Sequence, residues 1–195
     1  MCYDVAIGDH ITVLPKKRMR YRVIDTFTGP FAIVQDADGC FTTTWLDLGN
    51  DDILPSNAVH DYCIRPELAA RLQRYFSGEI VNFIDIPTPH GPRFVQRCWE
   101  ACRKIQRGQT CSYAQLSIMA GGTASAARAA GQAMKRNPLP IIIPCHRVVA
   151  ASGDLHGFSG SNDADGPEIA VKRGLLQMEG AAGFSDLSDL QMQLQ

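Results

Sequence analysis

Residues 137–149 constrain this chain more than any other stretch. Asn137, Pro138 and Pro140 lead into Ile141, Ile142 and Ile143, then Pro144, the trio Cys145, His146 and Arg147, and finally Val148 and Val149. Two apolar runs flank a polar trio, and three prolines fix the backbone nearby. Such a segment is a turn pinned inside a packed core. A thiol beside an imidazole in that turn is the raw material of a base-activated nucleophile. The pair reads equally as inert packing, because free cysteine is among the most buried residue types. Haem attachment is excluded: it requires C-x-x-C-H, and position 142 is Ile.

What could that turn act on? The net charge is −1, but residues 91–160 hold nine Lys and Arg against Glu100 and Asp154, a local +7. That segment reads as a phosphate-facing surface or, more simply, as a solvated helical face. The seven cysteines (Cys2, Cys40, Cys63, Cys98, Cys102, Cys111 and Cys145) are odd in number and scattered, which suits reduced thiols in a cytosol. Cys98 and Cys102 share a helix face, but no second pair completes a metal site, and neither metal nor cofactor is expected. No run approaches the ~18 apolar residues of a membrane span. The first residues lack a signal-peptide pattern, so a cytoplasmic location is expected, or a nuclear one in a eukaryote.

With 195 residues the chain makes one large domain or two small ones. Short β-branched runs at 11–14, 21–24, 31–34 and 41–45 predict strands, the last two joined by a tight turn at 36–39. A helix follows from Pro66 to a stop at Gly78, with Leu68, Leu72 and Phe76 on one stripe. This first region carries no chemistry-bearing pattern and reads as support. Three prolines and a glycine in residues 87–92 mark the boundary. Phe94, Cys98, Ala101, Cys102 and Ile105 then share a helix face that runs to Gly108.

Ser112 and Gln115 form a capping box for a helix reaching about Ala120. Gly121 and Gly122 break it, and Thr123 or Ser125 can cap a second helix over 124–133. The pair is a helix-turn-helix candidate whose second member is mostly Ala and Gly, with Arg128 its one long charged side chain. A smooth helix of that kind lies close to another surface, or is an internal helix with Arg128 reaching out. Small residues around Phe158 suit a pocket wall or an ordinary loop. Residues 161–168 look like an acidic insertion, and 169–180 like a final helix stopped by Gly180.

In this setting the chain resembles the O6-alkylguanine-DNA alkyltransferases, the methylated-DNA–protein-cysteine methyltransferases. The resemblance rests on Pro144-Cys145-His146-Arg147-Val148 preceded by Asn137, Pro138 and Pro140. It extends to Ser112-Tyr113, Ala126-Ala127-Arg128, Gly157-Phe158-Ser159-Gly160, and Lys172 with Leu175, Leu176, Glu179 and Gly180. It covers residues 94–180, and residues 1–90 match loosely. Three departures stand out: Phe158 where Tyr is common, a turn one residue longer between the paired helices, and the acidic 161–168 segment.

The resemblance implies irreversible transfer of an alkyl group from O6 of guanine to Cys145, with His146 acting through a water and Glu179 orienting the imidazole. It implies a flipped base, with Tyr113 turning the phosphate, Arg128 filling the vacated stack, and Ala126, Ala127 and Gly131 on the helix that enters the minor groove. Asn137 would support the turn, and Pro140, Val148, Phe158 and Ser159 would form the pocket. The expected architecture is a two-part α/β protein. A supporting sheet-and-helix domain spans 1–88, a mainly helical DNA-binding domain with the reactive-cysteine turn spans 89–180, and a tail spans 181–195. The expected partner is double-stranded DNA carrying O6-alkylguanine, met by a monomer. Rival readings are a lesion-binding protein that does not repair, a helix-turn-helix regulator, and a thiol hydrolase that turns over.

Overall fold

The computed structural model describes residues 18–48, 54–155, 157, 158 and 166–184. Strands β1 (Arg20–Ile24), β2 (Phe31–Gln35) and β3 (Phe41–Trp45) pair antiparallel in succession. A short β4 (Val59–His60) lies parallel to β1, so the sheet order is β3-β2-β1-β4. The first three match the predicted runs. β4 is not legible in the sequence because two residues carry no alternation. The expected strand at 11–14 lies outside the described residues. At the β2–β3 turn the Asp36 carboxylate accepts from the N–H groups of Asp38 and Cys40, both at 2.9 Å. Gly39 completes that turn at φ 84°, a conformation costly to residues with a Cβ.

Helix α1 (Pro66–Phe76) opens on a proline, whose missing N–H is not needed there, and stops before Gly78 at φ 89°. Leu68, Leu72 and Phe76 face inward as predicted, joined by Ala69 and Tyr75. Phe76 meets Phe31 edge-on at 5.2 Å between centroids, which fixes the helix against the sheet.

Helix α2 (Arg93–Cys102) buries Val95, Cys98, Trp99, Ala101 and Cys102. Both cysteines are core packing. The helix ends well before Gly108, because the next N–H groups turn back three residues, Lys104 to Ala101 at 3.0 Å and Ile105 to Cys102 at 3.1 Å. After β5 (Cys111–Ser112) the capping box forms as predicted. Gln115 N–H donates to Ser112 Oγ at 3.2 Å, and Ser112 N–H to Gln115 Oε1 at 2.7 Å. It starts α3 (Tyr113–Met119).

Helix α4 (Ala127–Lys135) begins later than predicted, since Ala124–Ala126 forms a single 3-10 turn. Thr123 and Ser125 do not cap it: their hydroxyls bond each other at 2.8 Å. The Trp99 indole N–H donates to the Ala133 carbonyl at 2.9 Å, holding α2 against α4. Strand β6 (Val148–Val149) pairs in parallel with β5, and α5 (Pro167–Met178) closes the fold. One continuous apolar cluster runs from Ile24 and Phe31 to Ile169 and Leu175, so the sheet and the helices share a core. Each fully buried Leu or Ile there contributes about 1.5–3 kcal/mol.

Candidate active site

The cysteine loop is held at both ends by polar contacts that its sequence supplies. The Asn137 side chain donates to the Ile143 carbonyl at 2.8 Å and accepts from the Leu139 N–H at 3.0 Å. From the sheet, Thr43 N–H donates to the Pro138 carbonyl at 3.0 Å, and the Thr43 hydroxyl to the Pro140 carbonyl at 2.9 Å. Between these clamps Ile141 adopts φ 73°, a left-handed conformation that a β-branched residue takes only when its surroundings force it. Burial of all three isoleucines supplies the force. Past Pro144, Cys145–Arg147 forms one 3-10 turn, and Val148 leaves it directly into β6.

That turn sends its side chains in different directions. His146 is buried, and its Nε2 lies 3.1 Å from Glu179 Oε1, at the end of α5. Arg147 grips the same carboxylate twice, Nε to Oε2 at 2.8 Å and Nη2 to Oε1 at 2.7 Å, and donates to the Ile105 carbonyl at 2.6 Å. Burial alone would push the Glu179 carboxyl up. The hydrogen bonds and charges of His146 and Arg147 overcome this and hold it well below the usual carboxylate range. Glu179 is therefore an anion, and a hydrogen bond to it requires the His146 proton on Nε2. Burial lowers the His146 pKa, against the pull of Glu179, so the ring is held neutral. Its Nδ1 is buried with no partner among the described residues. A neutral imidazole with a bare Nδ1 is a base awaiting a proton.

Cys145 keeps partial exposure. Burial raises its thiol pKa, while the Asn137 amide and the Lys172 ammonium draw it down. Lys172 is itself fully buried, donates to the Val148 carbonyl at 2.7 Å, and is pushed down to about 8 by burial. The site thus holds a masked thiol, a base, an anion that fixes the base, and a cation that favours thiolate.

The other predicted residues lie around this centre at different distances from it. The Tyr113 hydroxyl donates to the Gly157 carbonyl at 3.5 Å, and the Tyr113 ring faces Gly131, where a Cβ would sit 3.7 Å away. Phe158 is buried edge-on against Trp45 at 5.6 Å. Ala126 and Ala127 are half-buried at the start of α4, and Arg128 is exposed. Ser159 lies outside the described residues. The basic segment divides: Arg93, Arg97, Lys104, Arg128, Lys135 and Arg136 are exposed, whereas Arg103, Arg107 and Arg147 are spent on internal carbonyls and Glu179. Arg147 and Thr43 join the site without a local sequence signal, since their partners lie 32 and 97 positions away.

Known proteins are similar to this chain over most of its length. Residues 93–181 match a family model described as 6-O-methylguanine DNA methyltransferase, DNA binding domain. The methylated-DNA–protein-cysteine methyltransferase of Methanosarcina acetivorans is 31% identical over 163 residues, covering 84% of this chain and 99% of that protein. The constitutive enzyme of Bacillus subtilis is 43% identical over 113 residues, 58% of this chain and 64% of its own. Among solved structures, Mycobacterium tuberculosis OGT in complex with DNA is similar at a TM-score of 0.66 and 31% identity, covering 85% of this chain and 97% of that one.

Proposed function

The chain belongs to the methylated-DNA–protein-cysteine methyltransferase family, and on that premise we propose that it repairs DNA by moving the alkyl group of O6-alkylguanine onto Cys145. His146 Nδ1 takes the thiol proton through a water. The thiolate then attacks the alkyl carbon, the S–C bond forms, and the C–O6 bond breaks with its electron pair on guanine, which takes up a proton. The thioether has no leaving step, so each molecule acts once. The observation that carries this reading is the unpartnered Nδ1 of a ring whose Nε2 is committed to Glu179, one residue from a partly exposed thiol.

The partner is double-stranded DNA, bound by a monomer. Helices α3 and α4 act as a helix-turn-helix, with Ala126, Ala127 and Gly131 allowing close approach and exposed Arg128 entering the stack as the base leaves. The exposed basic residues supply phosphate contacts without sequence preference. Tyr113 turns the phosphate, and Pro140, Val148 and Phe158 line the base pocket, with Asn137 bracing the turn. Residues 1–88 act as the supporting part and 89–180 as the DNA-binding part. No helix among the described residues is long and apolar enough to cross a membrane.

The test is intact-protein mass after mixing with a duplex bearing a single O6-methylguanine, followed by mapping of the modified peptide. One added methyl on Cys145 is expected, and none in Cys145→Ala. Methyl on another cysteine, repeated turnover, or binding without transfer would sink the reading.

A further inference from the structure

Besides Thr43, which braces the cysteine loop, the described part of the first half carries a second buried polar group, at the Glu179 carboxylate. Tyr75, in the last turn of α1, is 3% exposed, and its hydroxyl lies 2.7 Å from Glu179 Oε1 and 3.3 Å from His146 Nε2. A phenol has one proton to give. The carboxylate can only accept, and Nε2 carries its own proton, so the Tyr75 proton goes to Oε1 and its oxygen lone pair faces the Nε2–H. Oε1 then receives three donors, from Tyr75, His146 and Arg147.

We propose that Tyr75 is a positioning residue for the transfer reaction. Its hydroxyl holds the Glu179 carboxylate where it keeps the His146 proton on Nε2, and it draws charge from that carboxylate so that the ring stays neutral until the thiol proton reaches Nδ1. This rests on the alkyl-transfer reading above. A packing role would be served equally by Phe, since Tyr75 already meets Phe76 edge-on at 5.4 Å. The hydroxyl is what packing leaves unexplained, because burying it without a partner is costly and burying it on a catalytic carboxylate is specific.

Among the described residues, the groups around the pair are few. Glu179 and Arg147 face Tyr75 and His146 directly, Lys172 approaches His146 from α5, and the Arg107 guanidinium lies 5.8 Å over the Tyr75 ring. Cys102 is buried beside Cys145 and stays a thiol, because burial raises its pKa. Burial, reinforced by Glu179, likewise keeps the Tyr75 hydroxyl protonated, so it remains a donor throughout the working range.

The experiment uses the full chain, the single O6-methylguanine duplex, and two variants. Tyr75→Phe removes the hydroxyl and keeps the ring. A ring-fluorinated tyrosine at position 75 keeps the hydroxyl and makes it a stronger donor. Single-turnover transfer is followed across pH, well below each variant's melting point, alongside duplex affinity. For Tyr75→Phe, transfer near neutral pH slows about tenfold, less than the roughly 100-fold or more that a general base itself supplies, because His146 is still present. Its acid limb moves up by about one pH unit, since an unshared carboxylate holds an imidazolium more strongly. The fluorinated protein moves that limb down, and duplex affinity stays put in both.

An unchanged rate and acid limb in Tyr75→Phe, or a slowing uniform across pH, overturns the proposal and leaves Tyr75 as packing. If Tyr75→Phe fails to fold, the direction of the fluorinated variant's shift decides alone. Wild-type protein that takes up no methyl overturns the functional reading instead.

Discussion

The hydroxyl of Thr43 donates to the carbonyl of Pro140 at 2.9 Å, and the N–H of Thr43 reaches Pro138 at 3.0 Å. Among the described strands β3 lies at the edge of the sheet, and the cysteine loop covers its outer hydrogen-bonding side. Thr43→Val preserves the shape but strips the donor from a buried position. The expected loss is about 1–2 kcal/mol in denaturant unfolding, the cost of an unmade buried bond. Thr43→Ser retains the donor and is expected to lose less.

Glu179 makes acid stability a second test. Its folded pKa lies below the ordinary 4.5, so its contribution is fully present above that value and is lost as pH falls through and below it. His146 is also depressed below its ordinary 6.5, so its contribution begins to fall away on acidification past that point. Glu179→Gln is expected to cost about 3–5 kcal/mol at neutral pH, because Arg147 loses a buried partner. It should also flatten the stability decline below 4.5. Denaturant midpoints for both proteins at several pH values from neutral to acid check this.

Two glycines of the paired helices differ in what an added methyl meets. At Gly122 a Cβ would lie 2.9 Å from both Phe94 Cε2 and Ser117 Oγ, while at Gly131 the nearest atom is Tyr113 Cδ1 at 3.7 Å. Gly122→Ala is expected to destabilise by about 1–3 kcal/mol through overpacking. Gly131→Ala is expected to leave stability within about 1 kcal/mol of the wild type, helped by the better helix propensity of Ala. Thermal unfolding of the two single variants gives the contrast.

Arg128 is exposed on α4. Arg128→Ala is expected to slow repair within duplex about tenfold or more, as loss of a flipping contact does. Reaction with free O6-alkylated base is expected to change little. Equal losses on both substrates would make the residue structural.

Much of this arrangement was legible in the chain, and for definable reasons. Ser112 and Gln115 announce a helix start because both partners lie within four residues, and Asn137 to Arg147 announces a pinned turn because proline acts locally. The strands β1 to β3 are legible through their β-branched runs. What was illegible is non-local. Thr43 meets Pro140 across 97 positions, Arg147 meets Glu179 across 32, and Tyr75 meets Glu179 across 104. In the sequence Tyr75 lies just off the Leu68, Leu72, Phe76 stripe and looks like one more apolar ring. The charge count misled in part for the same reason, since Arg103, Arg107 and Arg147 spend their charge on internal partners.

Arg107 binds the carbonyls of Gly78 and Glu79 behind α1 and of Met178 at the end of α5, one residue before Glu179. That joint gives the chain a particular heredity. Exchanging the part of the chain that holds α1 with that of a relative would replace Tyr75, and with it one of the donors to Glu179. On the alkyl-transfer reading, chimaeras that join the two halves of different family members are therefore expected to inherit part of their reaction rate from the parent that supplies no nucleophile.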